Sequence, residues 1–166
     1  MMQTADTVAL IVAAGRGTRA GGDQPKQWQP VAGKPVIAHT LARFAAHRRI
    51  ARIVLVLHAD DLARGAELTP APDIIVAGGA DRAASVQAGL RAADGLDLPY
   101  VLIHDVARPC VSERIISDVI AALTETPGAA PALPVTDALW TGAEARVTGT
   151  QGRPGRFRAQ TPRGSP

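Results

Sequence analysis

Thr7 to Lys26 reads TVALIVAAGRGTRAGGDQPK: a continuous apolar run breaks into a glycine-rich loop carrying Arg16 and Arg19 and, after a proline, Lys26. The apolar run has the length and composition of a buried strand. The loop has the make-up of a triphosphate cradle. Without a Cβ, Gly15 and Gly17 allow positive φ and let backbone N–H groups turn inward, while Arg19 and Lys26 supply charge for polyanionic phosphates. The spacing is not the Walker pattern, since no G-K-[ST] follows the glycines, and it lacks the full G-x-G-x-x-G of a dinucleotide fold. The plainer alternative is a turning βα loop with solvated cations, so the rest of the chain must decide.

Downstream, strand and helix signals alternate. Val36 to His47 sets Val36, Ile37, Leu41 and Phe44 on one helical face, and Ile53 to Leu57 is a second β-branched run. Asp60 is expected to cap a short segment reaching Gly65. Ile74 to Ala77 follows as a short strand, and Asp81 is placed to cap a helix through Val86, Leu90 and Ala93. Tyr100 to Ile103 is a further buried strand; Ser112 opens a helix whose apolar stripe is Ile115, Ile116, Val119, Ile120 and Leu123; Ala130 to Val135 returns to strand. This order predicts an α/β fold, a mostly parallel sheet with helices on both faces and ligands gathered at the carboxyl ends of the strands. Beyond Val135 the pattern fails. Residues 1–135 are therefore read as the core and 136–166, rich in Gly, Arg, Thr and Pro, as a projecting arm with an atypical tail of the same domain.

Composition narrows the function classes. A chain of 166 residues, 46% hydrophobic, can bury one core, and with only 3% aromatics that core must be built from Ala, Val, Leu and Ile. The net charge of +3 comes from the tail: Arg146, Arg153, Arg156, Arg158 and Arg163 face a single acid there, Glu144. A nearly neutral body without a basic stripe or interleaved stacking rings argues against nucleic acid as a partner. No run is long and apolar enough for a membrane span, and the start lacks a secretory signature. The lone Cys110 forbids an internal disulfide and suits a reducing compartment, so a cytoplasmic location is expected, with Cys110 read as a small buried hydrophobe.

Two more loops fall at the same end of the expected sheet. Gly78-Gly79-Ala80-Asp81-Arg82-Ala83-Ala84-Ser85 offers a glycine turn, a helix N-terminus and a hydroxyl one turn in. It could receive a base or ribose, or Ser85 could bond only to its own backbone. His104-Asp105-Val106-Ala107-Arg108-Pro109 ends a strand with a carboxylate that could hold a cation beside phosphates or pair with Arg108. His104 itself reads as a packed strand-end side chain.

Taken together and in order, AAGRGTR…PKQ, GGADRAASV, HDVARP and RAQTP resemble the 2-C-methyl-D-erythritol 4-phosphate cytidylyltransferase family from about Thr7 to Pro162. The resemblance implies a Rossmann-like nucleotidyltransferase fold, a homodimer joined through the C-terminal arm, and Mg²⁺. Its implied reaction, in non-mevalonate isoprenoid biosynthesis, joins CTP and a sugar-alcohol phosphate to give a CDP-alcohol and pyrophosphate. By the same resemblance Ala13, Ala14, Gly15, Arg16 and Gly17 line the nucleotide, and Arg19 and Lys26 neutralise phosphates. Gly79, Ala80 and Ser85 meet cytosine, Asp105 sits by metal and ribose, and Ala107 lies against the ribose. Arg153 reaches the acceptor phosphate on the other subunit, with Thr161 near that substrate.

Departures from the family pattern cluster at the end of the chain. Gly152 stands where an acid usually precedes the arm arginine, Arg163 follows Thr161-Pro162 where Gln is expected, and Ala138 replaces a frequent Thr. Residues that normally follow, including a lysine for the α-phosphate, are absent from this sequence, which leaves an exposed sheet edge as an expectation. Beside an active cytidylyltransferase, or one half of a bifunctional parent, stand two alternatives: a truncated, inactive nucleotide-binding remnant, and a transferase for another sugar or polyol phosphate.

Overall fold

The computed structural model describes residues 4–16 and 24–166. After strand β1 (Thr7–Ala13) come a 3₁₀ turn at Lys26–Trp28, the short ladder β2 (Pro30–Val31) and β3 (Lys34–Pro35), and helix α1 (Val36–Ala45). The chain continues through β4 (Ile50–Leu57), α2 (Leu62–Ala66), β5 (Ile74–Ala77), α3 (Arg82–Ala93), β6 (Tyr100–Asp105) and α4 (Glu113–Ala122). Five short strands close it: β7 (Ala132–Pro134), β8 (Leu139–Ala143), β9 (Arg146–Gln151), β10 (Phe157–Ala159) and β11 (Arg163–Ser165).

The central sheet is five-stranded, ordered β11-β6-β1-β4-β5. Pairs β1/β4, β1/β6 and β4/β5 are parallel, so the alternation of strands and helices in the sequence becomes a mostly parallel sheet. Alternation along β1 and β4 covers both faces. Ala9, Ile11 and Ala13, with Ile53, Leu55 and Leu57, join one buried cluster with Ile37, Leu41 and Phe44 of α1 and Ile116, Val119 and Ile120 of α4. The opposite face carries α3, which packs so closely that a Cβ on Gly89 would lie 2.7 Å from Leu10 Cδ1 and 2.8 Å from Val56 Cγ2. Side-chain bulk is therefore missing where the helix meets the sheet, and Leu90, one of the apolar residues that mark this helix in the sequence, is 38% exposed. Ile115 is likewise 37% exposed, outside the α4 contact.

Caps follow the sequence at α3 and α4, where the Asp81 side chain accepts from Ala84 N and Ser112 from Ile115 N. The expected Asp60 cap is replaced: His58 accepts the Asp60 N–H, and the α2 N-cap, Asp61, makes no side-chain cap bond. Cys110 is exposed rather than buried, because it follows the turn after β6 instead of lying within a packed element.

The larger correction concerns residues 136–166. Strands β8 and β9 form a hairpin, and β10 pairs with β7 away from the central sheet. Arg163–Ser165, however, returns as β11, antiparallel to β6, with Arg163 opposite Ile103 and Ser165 opposite Val101. The final residues therefore belong to the sheet and cover the β6 edge that the sequence suggested would be bare. No apolar pattern could announce this strand, because it joins through its backbone. Gly164 fits where a Cβ would meet Leu123 Cδ1 at 2.7 Å and Leu102 Cδ2 at 2.9 Å.

Candidate functional site

From β1 the chain proceeds to β4 and β5 on one side, then crosses to β6 on the other, so the strand order reverses between β1 and β6. At such a switch point the loops leaving two neighbouring strands diverge to opposite faces and open a crevice at the carboxyl ends. The crevice is present. A cleft of about 280 Å³ is lined by Val12 near the end of β1, Ala14 and Gly15 just after it, Gly79 to Arg82 and Ser85 around the start of α3, and Asp105 at the end of β6. The three loops picked out in the sequence meet there.

Close approach of glycine holds two of them together. A Cβ on Gly78 would lie 2.4 Å from the Ala14 Cβ and 2.7 Å from Ser85 Oγ, while Gly78 N donates to Leu57 O at 2.7 Å. A Cβ on Gly79 would lie 2.4 Å from Ala84 Cβ. Gly15 differs: its φ is not positive, and a Cβ there would meet nothing within 4 Å. Its lack of a side chain leaves open space at the cleft wall rather than permitting a special turn.

Ser85 is 2% exposed, and its Oγ donates to Asp81 O at 2.8 Å and accepts from Gly79 N at 3.1 Å. The hydroxyl thus fixes the glycine turn from inside while the residue lines the cleft. Asp105 carries the carboxylate of the β6 loop. Its Oδ1 accepts from Arg82 Nη2 at 2.8 Å and Nε at 3.2 Å, and its Oδ2 lies 3.8 Å from Arg108 Nε. Pairing with Arg108 is one of the two readings the sequence leaves open. Arg82, the nearer cation, comes from the first position of α3 and meets Asp105 only through the fold.

Behind Asp105 lies a buried polar network. His104 is fully buried, with its ring centroid 4.8 Å from that of Phe44. Because Arg108 O can only accept, His104 Nε2–H donates to it at 3.1 Å, which leaves Nδ1 to accept from Thr161 Oγ1 at 3.2 Å. Thr161 Oγ1 in turn accepts from Asp105 N at 3.4 Å. Burial pushes the imidazole down to about 4, against a smaller upward pull from its bond to Arg108.

The remaining predicted residues divide by location. Ala13 is buried beside the first loop, but the Arg16 side chain leaves the cleft for Asp60 and for His58 Nδ1 at 2.9 Å. Lys26 is exposed on its 3₁₀ turn. Ala107 and Thr161 line a neighbouring cavity of about 460 Å³ with Arg108, Cys110, Leu133 and Gln160. Arg153 sits in the turn after β9, its Nη1 donating to Thr136 O at 2.5 Å. Gly17 and Arg19 lie outside the described residues. Sequence reasoning passed over Gln27, whose side-chain amide donates to Ala13 O at 2.9 Å and Gly15 O at 3.0 Å.

A mostly parallel sheet with helices on both faces and a polar cleft at its switch point defines a Rossmann-like nucleotidyltransferase, the architecture shared with solved relatives. The chain belongs to the IspD family, 2-C-methyl-D-erythritol 4-phosphate cytidylyltransferase, whose sequence model matches residues 7–166. It is 60% identical over 158 residues to the bifunctional enzyme IspD/IspF of Ruegeria pomeroyi, covering 95% of this chain and 42% of that protein. It is 57% identical to the 2-C-methyl-D-erythritol 4-phosphate cytidylyltransferase of Cereibacter sphaeroides, covering 94% of this chain and 71% of the relative. The crystal structure of the cytidylyltransferase from Thermus thermophilus superposes with a TM-score of 0.72 at 36% identity, over 95% of this chain and 68% of that one. These matches lend no support to an inactive remnant.

Proposed function

We propose that this chain transfers a cytidylyl group from CTP to 2-C-methyl-D-erythritol 4-phosphate, releasing pyrophosphate, as a step of non-mevalonate isoprenoid biosynthesis. The observation that carries the reading is the convergence of Ala14 and Gly15, Gly79 to Arg82 with Ser85, and Asp105 on one cleft at the switch point of the sheet. Family membership supplies the identity of the substrates.

An oxygen of the acceptor phosphate attacks the α-phosphorus of CTP, the bond from that phosphorus to the bridging oxygen breaks, and pyrophosphate leaves. Bringing two anions together is the main obstacle, so positioning and charge neutralisation carry the catalysis. Arg19 and Lys26 neutralise the phosphates, with Ala13 to Gly17 around the nucleotide. Gly79, Ala80 and Ser85 receive cytosine, and Asp105 and Ala107 receive the ribose. The carboxylate of Asp105, in the cleft and partly exposed, suits Mg²⁺, a cation that takes one or two protein oxygens and fills its shell with phosphate and water. Bound there, magnesium would withdraw charge from the reacting phosphates. Arg82 holds the same carboxylate in orientation.

The second anion site belongs to a homodimer on this reading, with Arg153 reaching the partner's acceptor phosphate and Thr161 near it. Exposed apolar side chains on β7 to β10 support such an interface: Trp140 is 67% exposed, Phe157 62%, Val147 58% and Leu133 50%. Among the described residues no helix is long and apolar enough to cross a membrane. With a lone thiol and no basic stripe, we place the protein in the cytoplasm, acting on small anions rather than nucleic acid. The test is pyrophosphate release. Release that requires both CTP and the methylerythritol phosphate is expected; none above background with both present would refute the assignment.

A further inference from the structure

In sequence Lys26 stands well beyond the end of β1, so connectivity alone does not fix its charge relative to the strand end. The structure supplies a tie in the neighbouring residue. Gln27 is 3% exposed, and its Nε2 donates to both Ala13 O and Gly15 O, at 2.9 and 3.0 Å. Both amide hydrogens are therefore spent on the carbonyls that begin the glycine-rich loop. On its other side the turn is fixed to the core: Trp28 is 5% exposed, its backbone N–H donates to Pro25 O at 2.9 Å, and its carbonyl accepts from Gln24 Nε2 at 3.1 Å.

We infer that Gln27 is a positioning residue that locks Lys26 to the first loop and keeps the Ala13 and Gly15 carbonyl oxygens occupied, away from incoming phosphate oxygens. The inference rests on the proposed nucleotidyl transfer and deepens it. A glutamine is required by the chemistry of the contact. It presents two N–H donors from one atom, whereas an ionised Glu would set a third acceptor against two carbonyls, and a Met would fill the space with no donor at all. Neither substitution touches the substrate directly.

The experiment is a double-mutant cycle on the full chain, with Gln27→Met, Lys26→Ala and the pair. Pyrophosphate release, CTP titration by calorimetry and thermal melting are read for each. Gln27→Met should lower kcat roughly ten- to hundredfold, the size of a small misplacement of a catalytic group. In the Lys26→Ala background the same change should alter kcat by less than about threefold, because the group it positions is gone. CTP affinity should follow the same non-additive pattern, which serves as the readout if turnover is too low to measure. Wild-type rates in Gln27→Met, or effects that multiply in the pair, would overturn the inference. Gln27→Glu is the second variant; failure of both to fold would overturn it in favour of a purely structural role. A wild-type protein that neither binds CTP nor releases pyrophosphate would instead overturn the functional reading beneath it, and the inference with it.

Discussion

Acidification from pH 7 to pH 5 should destabilise the fold by about 2 kcal/mol through His104 alone, a figure that follows from holding a buried imidazole far below its ordinary value. The ring is fully buried against Phe44, donates through Nε2 to Arg108 O and accepts through Nδ1 from Thr161, so a second proton would place a charge where burial penalises it. Its folded value is about 4, against 6.5 for a free imidazole. Between those values the unfolded chain binds the extra proton and the folded one does not, so stability rises with pH across that window. It is lost progressively as pH falls, up to a limit of about 3 kcal/mol below pH 4, and is unaffected above neutrality. Urea unfolding at pH 7, 6 and 5 measures it, with His104→Gln as the non-titrating reference. Only the change with pH is compared, so any constant cost of the substitution cancels. The wild type should lose about 2 kcal/mol more than the variant between pH 7 and pH 5. Parallel pH profiles would refute the burial and tautomer assigned to His104.

Gly78→Ala should cost about 1–3 kcal/mol, the range for overpacking, because the new methyl would lie 2.4 Å from Ala14 Cβ. It should also weaken CTP binding by separating the first two loops, as melting and titration on one sample would show. Lys26→Ala should cut turnover at saturating CTP by roughly two orders of magnitude or more, as for loss of one transition-state donor, with little change in melting temperature. Unchanged turnover would remove Lys26 from the mechanism. Asp105→Asn should raise the magnesium concentration needed for half-maximal CTP binding, read by calorimetry at fixed nucleotide; an unaltered requirement would move the metal elsewhere.

The parallel core was legible because β1, β4 and β5 are short apolar runs alternating with helices, and the periodicity that marks α1 and α4 is set by their buried Ile, Leu, Val and Phe side chains. What periodicity could not show was packing by absence. Gly89 at the α3 contact and Gly164 under α4 contribute nothing to a hydrophobic pattern, yet each sits where a Cβ would collide with leucine. For the same reason nothing apolar in the sequence marks β11 as part of the sheet. At the site, the loops' convergence followed from their place at the carboxyl ends of strands, whereas the Arg82–Asp105 pair and the Gln27 amide bonds depend on tertiary contacts over long sequence separations. Arg16 shows the opposite case: a cation that the family resemblance sets beside the nucleotide is turned to Asp60.

CTP titration of Gly15→Leu against the wild type, with magnesium present and melting recorded alongside, tests the nucleotide cleft most directly. A Cβ at Gly15 meets no protein atom within 4 Å, so the account predicts an unchanged melting temperature with CTP affinity reduced by roughly a hundredfold or more, as expected when a side chain fills space meant for the ligand. A variant that binds CTP as tightly as the wild type would contradict the placement of the nucleotide between Gly15, the Gly79 turn and Asp105.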